Sequence, residues 1–572
     1  MLPIVYREPV HKDLETKAVQ KKLCGQGLNW WVARALALRG VVTEDVALGN
    51  YKLLHYKDLK GIEVLSQKLA ESIVAKEKIV VVADYDCDGA TACAVAVSGL
   101  QAFGAIIDFM VPNRFIHGYG LTPSVVDVVK EMNPRWILTV DNGTASLAGI
   151  EAAHALGIGV LVTDHHLPGP VLPNPEGLVN PNQPECEFES KNLAGVGVMY
   201  YVLGAVKDQL KKMNAVPSPE PNLADWLDLV ALGTIADVVK LDDNNRWLVR
   251  KGLQRIRAGK ARPGIKALFE VAGKNWKEAT SLDFGFGLGP RINAAGRLDD
   301  MTYGIRCLLA EDEEQAFEYA YQLDELNRKR KSIEKDMKEV AWDTIDLEGQ
   351  KGKFTRAVYS PTFHEGVIGI VAGRIKELEH TPVVVFARAQ EEGYIKGSGR
   401  SIPEVHLRDI LDMVHKRGGE LFEKFGGHAM AAGMTLREDR YPAFVKLFEE
   451  AVFEVMEGKP SQKYIVVDED LPNLAMQITT VESFLNEIWG QGFEEPTFLG
   501  EFNIIEARLI GADSNHLKMK VEREGMQWDA LHFFNADLPT GYKVKLAYKL
   551  SLNEYRGNIS VNLIVVDKEY GS

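Results

Sequence analysis

The sequence predicts a multidomain α/β protein with a parallel-sheet domain, a second α/β domain joined to it by a long helix, and a small C-terminal β-barrel. Three observations predict this. Strand-like runs (79–83, 106–111, 137–140, 158–163) alternate with helical stretches (121–131, 145–156, 193–212, 222–236), the pattern of a parallel sheet with crossover helices. Residues 311–345 contain no Gly or Pro and are rich in Glu, Lys, Ala, Leu and Arg. The last hundred or so residues fall into short alternating runs separated by turns, which reads as an antiparallel barrel.

At 572 residues the chain is too long for one core, and three or four domains are expected. Its 46% hydrophobic and 26% charged content are those of an ordinary soluble globular protein. No apolar run reaches the roughly 18 residues of a membrane span, and the charged N-terminus reads as no signal peptide. The five cysteines form no CxxC pair, which favours a reducing cytosol over a disulfide framework or a structural zinc site. The net charge of −14, from 66 basic and 80 acidic residues, excludes a surface that coats nucleic acid non-specifically. Any nucleic acid must meet basic residues gathered in a groove.

Taken in order, residues 1–75 read as a largely helical segment, with Val32, Ala35 and Leu36 at helical spacing. Residues 76–310 form the first α/β domain. Within it, 168–184 holds six prolines and is expected to be an irregular loop walling a crevice. The stretch FGFGLGPRINAAGRLDD reads as a glycine-dense turn. Residues 311–345 read as the connecting helix. Residues 346–458 form the second α/β domain, with strands near 355–359, 382–387 and 393–397 and a helix at 441–456. Residues 459–572 form the barrel.

The chemistry gathers at strand ends. Asp84, Asp86 and Asp88 follow one β-run, Asp141 another, and Asp164, His165 and His166 a third. Carboxylates and imidazoles at the carboxyl ends of neighbouring parallel strands would share one crevice. They would repel one another there without divalent cations. The run DYDCDG superficially matches an EF-hand loop, but position 95 is Val where the liganding Glu would stand, and a β-run precedes it. Helix capping explains one aspartate of the three, not all. In such a loop Asp86 and Asp88 can both point at one ion. DNG at 141–143 is by itself an ordinary turn. Adjacent histidines beside an acid suit one imidazole on metal and one on substrate. Asp237 ends an almost wholly apolar segment, where a charge is expensive unless paired or bound to metal. Together these groups suit two hard divalent ions, Mg²⁺ or Mn²⁺, which in phosphodiester hydrolysis generate a hydroxide and stabilise the leaving oxygen.

In this order, DYDCDG, VDNG, TDHH and GTIADVV resemble motifs I to IV of the DHH phosphoesterase superfamily. GSGR and GGHAMAAG resemble its DHHA1 substrate-binding domain. With GPRINAAGR, the long helix and the barrel, the resemblance narrows to the superfamily's single-stranded-DNA-specific 5′→3′ exonucleases and spans nearly the whole chain. It implies a DHH domain at 76–310, a DHHA1 domain at 346–458 and an oligonucleotide-binding (OB) fold at 459–572. Asp86, Asp88, Asp141, His165 and Asp237 resemble the metal ligands, with Asp84, Asp164 and His166 beside them in the catalytic bed. Many superfamily members carry His where this chain has Val82, which implies a thinner ligand set compensated by Asp84 or water.

The resemblance also assigns substrate residues. Arg114 resembles the receiver of the 5′-terminal phosphate. Ser398 and Arg400 resemble the pair that anchors that end. His428, Arg291, Asn293 and Arg297 are further expected DNA contacts. In the barrel, Trp528, Phe533, Phe534, Tyr542, Tyr548 and Tyr555 are candidate stacking residues, of which two or three at most are expected to stack. Lys518, Lys520, Lys543, Lys545 and Lys549 would track phosphates. The implied activity is metal-dependent release of 5′-mononucleotides from single-stranded DNA threaded between the two α/β lobes, in recombination and in mismatch and base-excision repair. The implied partners are single-strand-binding protein and a RecQ-type helicase. The protein is expected to be a cytoplasmic monomer with no membrane contact.

Two rivals remain at this level. A phosphodiesterase for short oligonucleotides or cyclic dinucleotides would need neither the barrel nor GPRINAAGR. A non-enzymatic scaffold would not need every motif acid and both histidines.

Overall fold

A computed structural model describes residues 1–572 except 11, 43–52, 114–115, 348, 351, 512 and 572. The chain divides into two compact units. One comprises 1–296, 300–324 and 465–572, and the other 297–299 and 325–464.

The first unit is built around a five-stranded parallel sheet, ordered Ile106–Met110, Lys78–Ala83, Trp136–Val140, Gly159–Thr163 and Gly177–Val179. Its three middle strands are apolar and buried throughout their inner residues, as strands covered on both faces must be. Their carboxyl ends are level. Ala83 pairs with Val140 and Val140 with Thr163, so the residues that follow emerge side by side. Helices Cys87–Ala102, Gly195–Lys212 and Leu227–Ala236 pack on one another beside the sheet. Segment 1–42 supplies helices Asp13–Gly25 and Trp30–Leu38.

The barrel in this unit comprises Phe498–Ile510, His516–Arg523, Met526–His532, Lys543–Tyr555 and Asn558–Gly571. Four pairings are antiparallel, including the Phe498–Asn503 stretch against 543–548, but Asp529–Leu531 runs parallel to 562–564. The barrel is therefore closed by one parallel seam and is not purely antiparallel.

The second unit holds a five-stranded mixed sheet ordered Lys424–Gly427, Ala431–Arg437, Tyr394–Arg400, Val383–Arg388 and Arg356–Tyr359. Alternate residues of Val383–Arg388 enter opposite cores, Val384 and Phe386 on one face and Val383 and Val385 on the other, as the period of two requires. The helix Glu313–Leu347 runs 35 residues, and the chain passes from one unit to the other within it. Among the described residues, no helix is long and apolar enough to cross a membrane.

Three further expectations need correction. The proline-rich segment 168–184 contains the edge strand Gly177–Val179, which pairs with Leu161–Thr163; its prolines flank the strand and none lies inside it. The glycine-dense stretch is not a turn but a π-helical turn, Phe284–Leu288, running into the helix Gly289–Leu298. Residues Ile4–Tyr6, expected as part of a helical segment, pair in parallel with Ile465–Val467.

Candidate metal centre

Asp84, Asp141 and Asp164 each directly follow one of the three level strands, so the sheet register brings them into one crevice. Asp86 then caps the helix Cys87–Ala102, accepting the Gly89 N–H at 3.0 Å. This capping leaves the other two aspartates of the motif unexplained. Asp84 is buried and accepts the Tyr85 N–H at 2.7 Å. Asp88 is buried and accepts the N–H groups of Gly195 (2.6 Å) and Val196 (2.9 Å), at the amino end of the helix Gly195–Lys212, where the dipole favours a carboxylate. Asp237 is the C-cap of Leu227–Ala236.

These groups form three overlapping sets whose ligand atoms lie within 4.8 Å of one another: Asp84, Asp86 and Asp141; Asp88, His165 and Asp237; and Asp141, His165 and His166. Asp86 and Asp88 fall in different sets. His165 Nε2 lies 3.1 Å from Asp141 Oδ1, 3.5 Å from Asp237 Oδ2 and 3.8 Å from Asp88 Oδ2. Both Asp141 Oδ1 and His165 Nε2 are buried without a hydrogen-bond partner. The imidazole bonds the Leu193 backbone, and because Nε2 is unpartnered that bond must use Nδ1, which leaves the Nε2 lone pair directed at the carboxylates.

Burial and mutual repulsion dominate the electrostatics. Burial, then Asp86, push the Asp88 carboxyl up to about 7. Burial, followed by neighbouring carboxylates, raises Asp84, Asp141 and Asp237 well above the ordinary range. Burial, then the neighbouring His166, lower His165 to about 4. His166 is different. Burial pulls it down, but its hydrogen bond to Asp164 and the charges of Asp164, Asp84 and Asp86 together outweigh this and raise it to about 9. Asp164 is held below the usual range because His166, with the Thr144 N–H, overcomes its burial. An acid-rich bed that resists its own ionisation, with unpartnered oxygen and nitrogen donors converging, fits hard divalent cations.

Backbone geometry is adapted to the bed. Asp141 adopts φ +60°, an uncommon left-handed conformation for a non-glycine residue. A Cβ on Gly195 would sit 2.6 Å from the Asp141 carboxylate, and one on Gly233 would sit 2.2 Å from Thr91 Oγ1. Val82 belongs to the hydrophobic core beneath the sheet, with Val80, Leu121 and Val162. The departure from the superfamily pattern therefore fills core space.

Several residues that hold the site have no motif to announce them. Asn180 Nδ2 donates to Thr144 Oγ1 and to the His166 carbonyl, and Asn182 Nδ2 to the His165 carbonyl. Both asparagines come from the proline-rich segment. Asn142 ties the ends of two strands by donating to the Val82 and Val140 carbonyls. Tyr119 stands edge-on to both His166 and Tyr85.

The expected substrate residues divide. Arg114 lies outside the described residues. Arg291 is bound to Asp324 at 2.9 Å and to the carbonyls of Gly287 and Val271, so its part-buried guanidinium is engaged within the protein where a DNA contact was expected. Asn293 Oδ1 accepts the Cys87 N–H at 2.7 Å. Arg297 donates to the Gly366 carbonyl. On the strand Tyr394–Arg400, Arg400 is largely buried and donates to Ser398 Oγ (3.2 Å) and the Gly399 carbonyl; burial lowers its pKa, and it has no acidic partner among the described residues. His428 is exposed, where the hairpin Lys424–Gly427 and Ala431–Arg437 turns.

In the barrel, Tyr548 and Trp528 are core residues, whereas Phe534 (82% exposed), Tyr542, Tyr555 and Phe533 face solvent. Lys518 pairs with Asp529 and Lys549 with Glu495, while Lys520 and Lys543 are exposed.

Comparison with known proteins adds three domain matches. Residues 78–234 match the DHH family, N-terminal domain, 352–454 the DHHA1 domain and 467–567 the RecJ OB domain. The chain is 44% identical over 525 residues to the single-stranded-DNA-specific exonuclease RecJ of Haemophilus influenzae, covering 90% of this chain and 91% of that protein. It is 44% identical over 548 residues to the protein of the same name from Escherichia coli, covering 93% and 94%. Among solved structures, RecJ of Thermus thermophilus in complex with Mn²⁺ superposes with a TM-score of 0.82 at 28% identity, covering 100% of this chain and 79% of that one.

Proposed function

The chain belongs to the RecJ family and is a single-stranded-DNA-specific exonuclease, and from that premise we propose that it works from a 5′ end at the bed of Asp84, Asp86, Asp88, Asp141, Asp164, His165, His166 and Asp237, with Mn²⁺ or Mg²⁺ as cofactor. The observation that carries this reading is the pair of buried, unpartnered donor atoms Asp141 Oδ1 and His165 Nε2, 3.1 Å apart. Asp88, Asp237 and His165 would hold one of two ions, and Asp84, Asp86 and Asp141 the other, with Asp141 Oδ1 3.1 Å from His165 Nε2. Such ions supply a water of lowered pKa and Lewis acidity toward a phosphoryl oxygen.

The chain's own groups do the rest. Asp164 fixes the His166 ring through Nδ1 at 2.8 Å and keeps it cationic, so a half-exposed imidazolium faces an incoming phosphate. Arg400, largely buried and without an acidic partner among the described residues, suits a bidentate grip on a terminal phosphate, with Ser398 beside it. The exposed barrel aromatics suit base stacking. We assign catalysis to 76–310, hold of the 5′ end to 346–458 and strand binding to the barrel at 459–572, with 311–345 as connecting helix. The products are 5′-mononucleotides, in DNA recombination and repair in the cytoplasm. The enzyme acts as a monomer, with single-strand-binding protein and a RecQ-type helicase as partners.

A time course with 5′-labelled single- and double-stranded DNA, with Mn²⁺ or with chelator, tests the reading. Label should leave the single strand as mononucleotide from the first turnovers, only with metal and not from Asp141→Ala. Shortening from the 3′ end, or action confined to dinucleotides, would overturn it.

A further inference from the structure

We propose that Asn293 is a positioning residue for the metal bed: it fixes the backbone between Asp86 and Asp88, and through it both carboxylates. The inference rests on reading that bed as the metal site.

The first N–H groups of a helix have no partner within it. In Cys87–Ala102 the Gly89 N–H is taken by the Asp86 carboxylate, and the Cys87 N–H is taken from outside by Asn293 Oδ1 at 2.7 Å. Cys87 is buried, so no water substitutes easily, and losing the acceptor strands a buried donor. Cys87 stands between two carboxylates that serve different ligand sets. A displacement at its amide therefore moves both sets at once.

The helix that carries Asn293 is held against this loop. Gly296, three residues on and on the same face, has the Tyr85 carbonyl oxygen only 1.9 Å from where a Cβ would be. Backbone meets backbone there, which only glycine permits. At the other end of the helix, Arg291 is anchored to Asp324 and to the Gly287 and Val271 carbonyls. Asn293 thus projects from a fixed rod and sets the depth of the loop.

The test compares Asn293→Ala with Asn293→Asp, which keeps an acceptor oxygen at the same reach. For each, Mn²⁺ binding is measured by calorimetry without DNA, kcat and KM on a 5′-phosphorylated single strand, and melting with chelator. Loss of a group that orients metal ligands costs about 10–100-fold in affinity or activity. Asn293→Ala should therefore bind Mn²⁺ about 10–100-fold more weakly and lose kcat, with KM within about twofold of wild type on the same scale. Asn293→Asp should keep Mn²⁺ affinity and most of kcat. A rise in KM with unchanged Mn²⁺ affinity would make Asn293 a DNA contact and overturn the proposal. So would an Asn293→Asp variant that melts normally yet loses Mn²⁺, or two variants that leave both constants unchanged. If wild type itself bound no Mn²⁺, the metal reading would fall instead.

Discussion

His165 Nε2 and Asp141 Oδ1 lie 3.1 Å apart, both buried, with no hydrogen bond between them or to any other described group. Two electron-rich atoms at that separation repel unless a proton or a metal ion lies between them. Asp141→Ala is therefore expected to lower exonuclease turnover by about 10²–10³-fold or more, the scale of removing one essential electrostatic group. Asp141→Asn should raise the melting temperature of the chelator-treated protein, because it deletes a buried charge. Melting scans with and without EDTA check the second point; an unchanged or lower metal-free melting temperature would count against it.

The pH dependence follows from Asp88. Its folded-state value is about 7, well above the ordinary aspartate value of about 4. A raised carboxyl contributes stability that is fully present below the unfolded value and lost as pH rises through the folded one. Without metal, wild type should lose stability relative to Asp88→Asn between about pH 4 and pH 7. The amide forfeits one of the bonds from Gly195 and Val196, which adds a constant offset, so the slope is the readout. Denaturant titrations at several pH values measure it. Parallel curves for the two proteins would refute the assignment.

In the second unit, Arg400 and Ser398 crowd one glycine. A Cβ on Gly369 would lie 2.9 Å from both the Arg400 guanidinium and Ser398 Oγ. Gly369→Ala and Arg400→Ala should each raise KM for a 5′-phosphorylated strand by about tenfold or more, the worth of a charge-assisted bond. Neither should change KM for a 5′-hydroxyl strand by as much. Steady-state kinetics on the two substrates separate these outcomes.

The barrel aromatics should behave as two classes. Tyr548→Ala removes a fully buried ring and should cost about 3–5 kcal/mol of stability. Phe534→Ala and Tyr555→Ala remove exposed rings and should leave melting unchanged. They should weaken binding of long single strands by about 1–3 kcal/mol per lost stack. Anisotropy titrations with a long oligonucleotide and a dinucleotide show whether the loss depends on length.

What the sequence made legible was whatever is local. The strands ending at Ala83, Val140 and Thr163 are continuous apolar runs, and the acids after them could be placed in one crevice without coordinates. The helix Glu313–Leu347 announced itself by composition. The misses are tertiary. Gly177–Val179 is short and its prolines mask it. The glycines of FGFGLGPRINAAGR look like a turn because glycine disfavours helix, yet Gly296 is there for close approach to Tyr85. Asn293 was read as a substrate residue because no local pattern reveals that its partner lies at Cys87. Arg291 was likewise taken as free positive charge, while Asp324 and two carbonyls occupy it. The parallel seam of the barrel and the pairing of Ile4–Tyr6 with Ile465–Val467 depend on partners too distant in sequence for any periodicity to show.

The central claim is that this bed binds two divalent ions, with Asp141 and His165 among the residues that would hold them. Equilibrium Mn²⁺ binding, followed by the electron paramagnetic resonance of the free ion, tests it most directly. Wild type should bind two ions per chain, and Asp141→Ala and His165→Ala should each lose at least one while melting as folded proteins. Wild type that binds none, or an Asp141→Ala variant that binds as many ions as tightly as wild type, would contradict it.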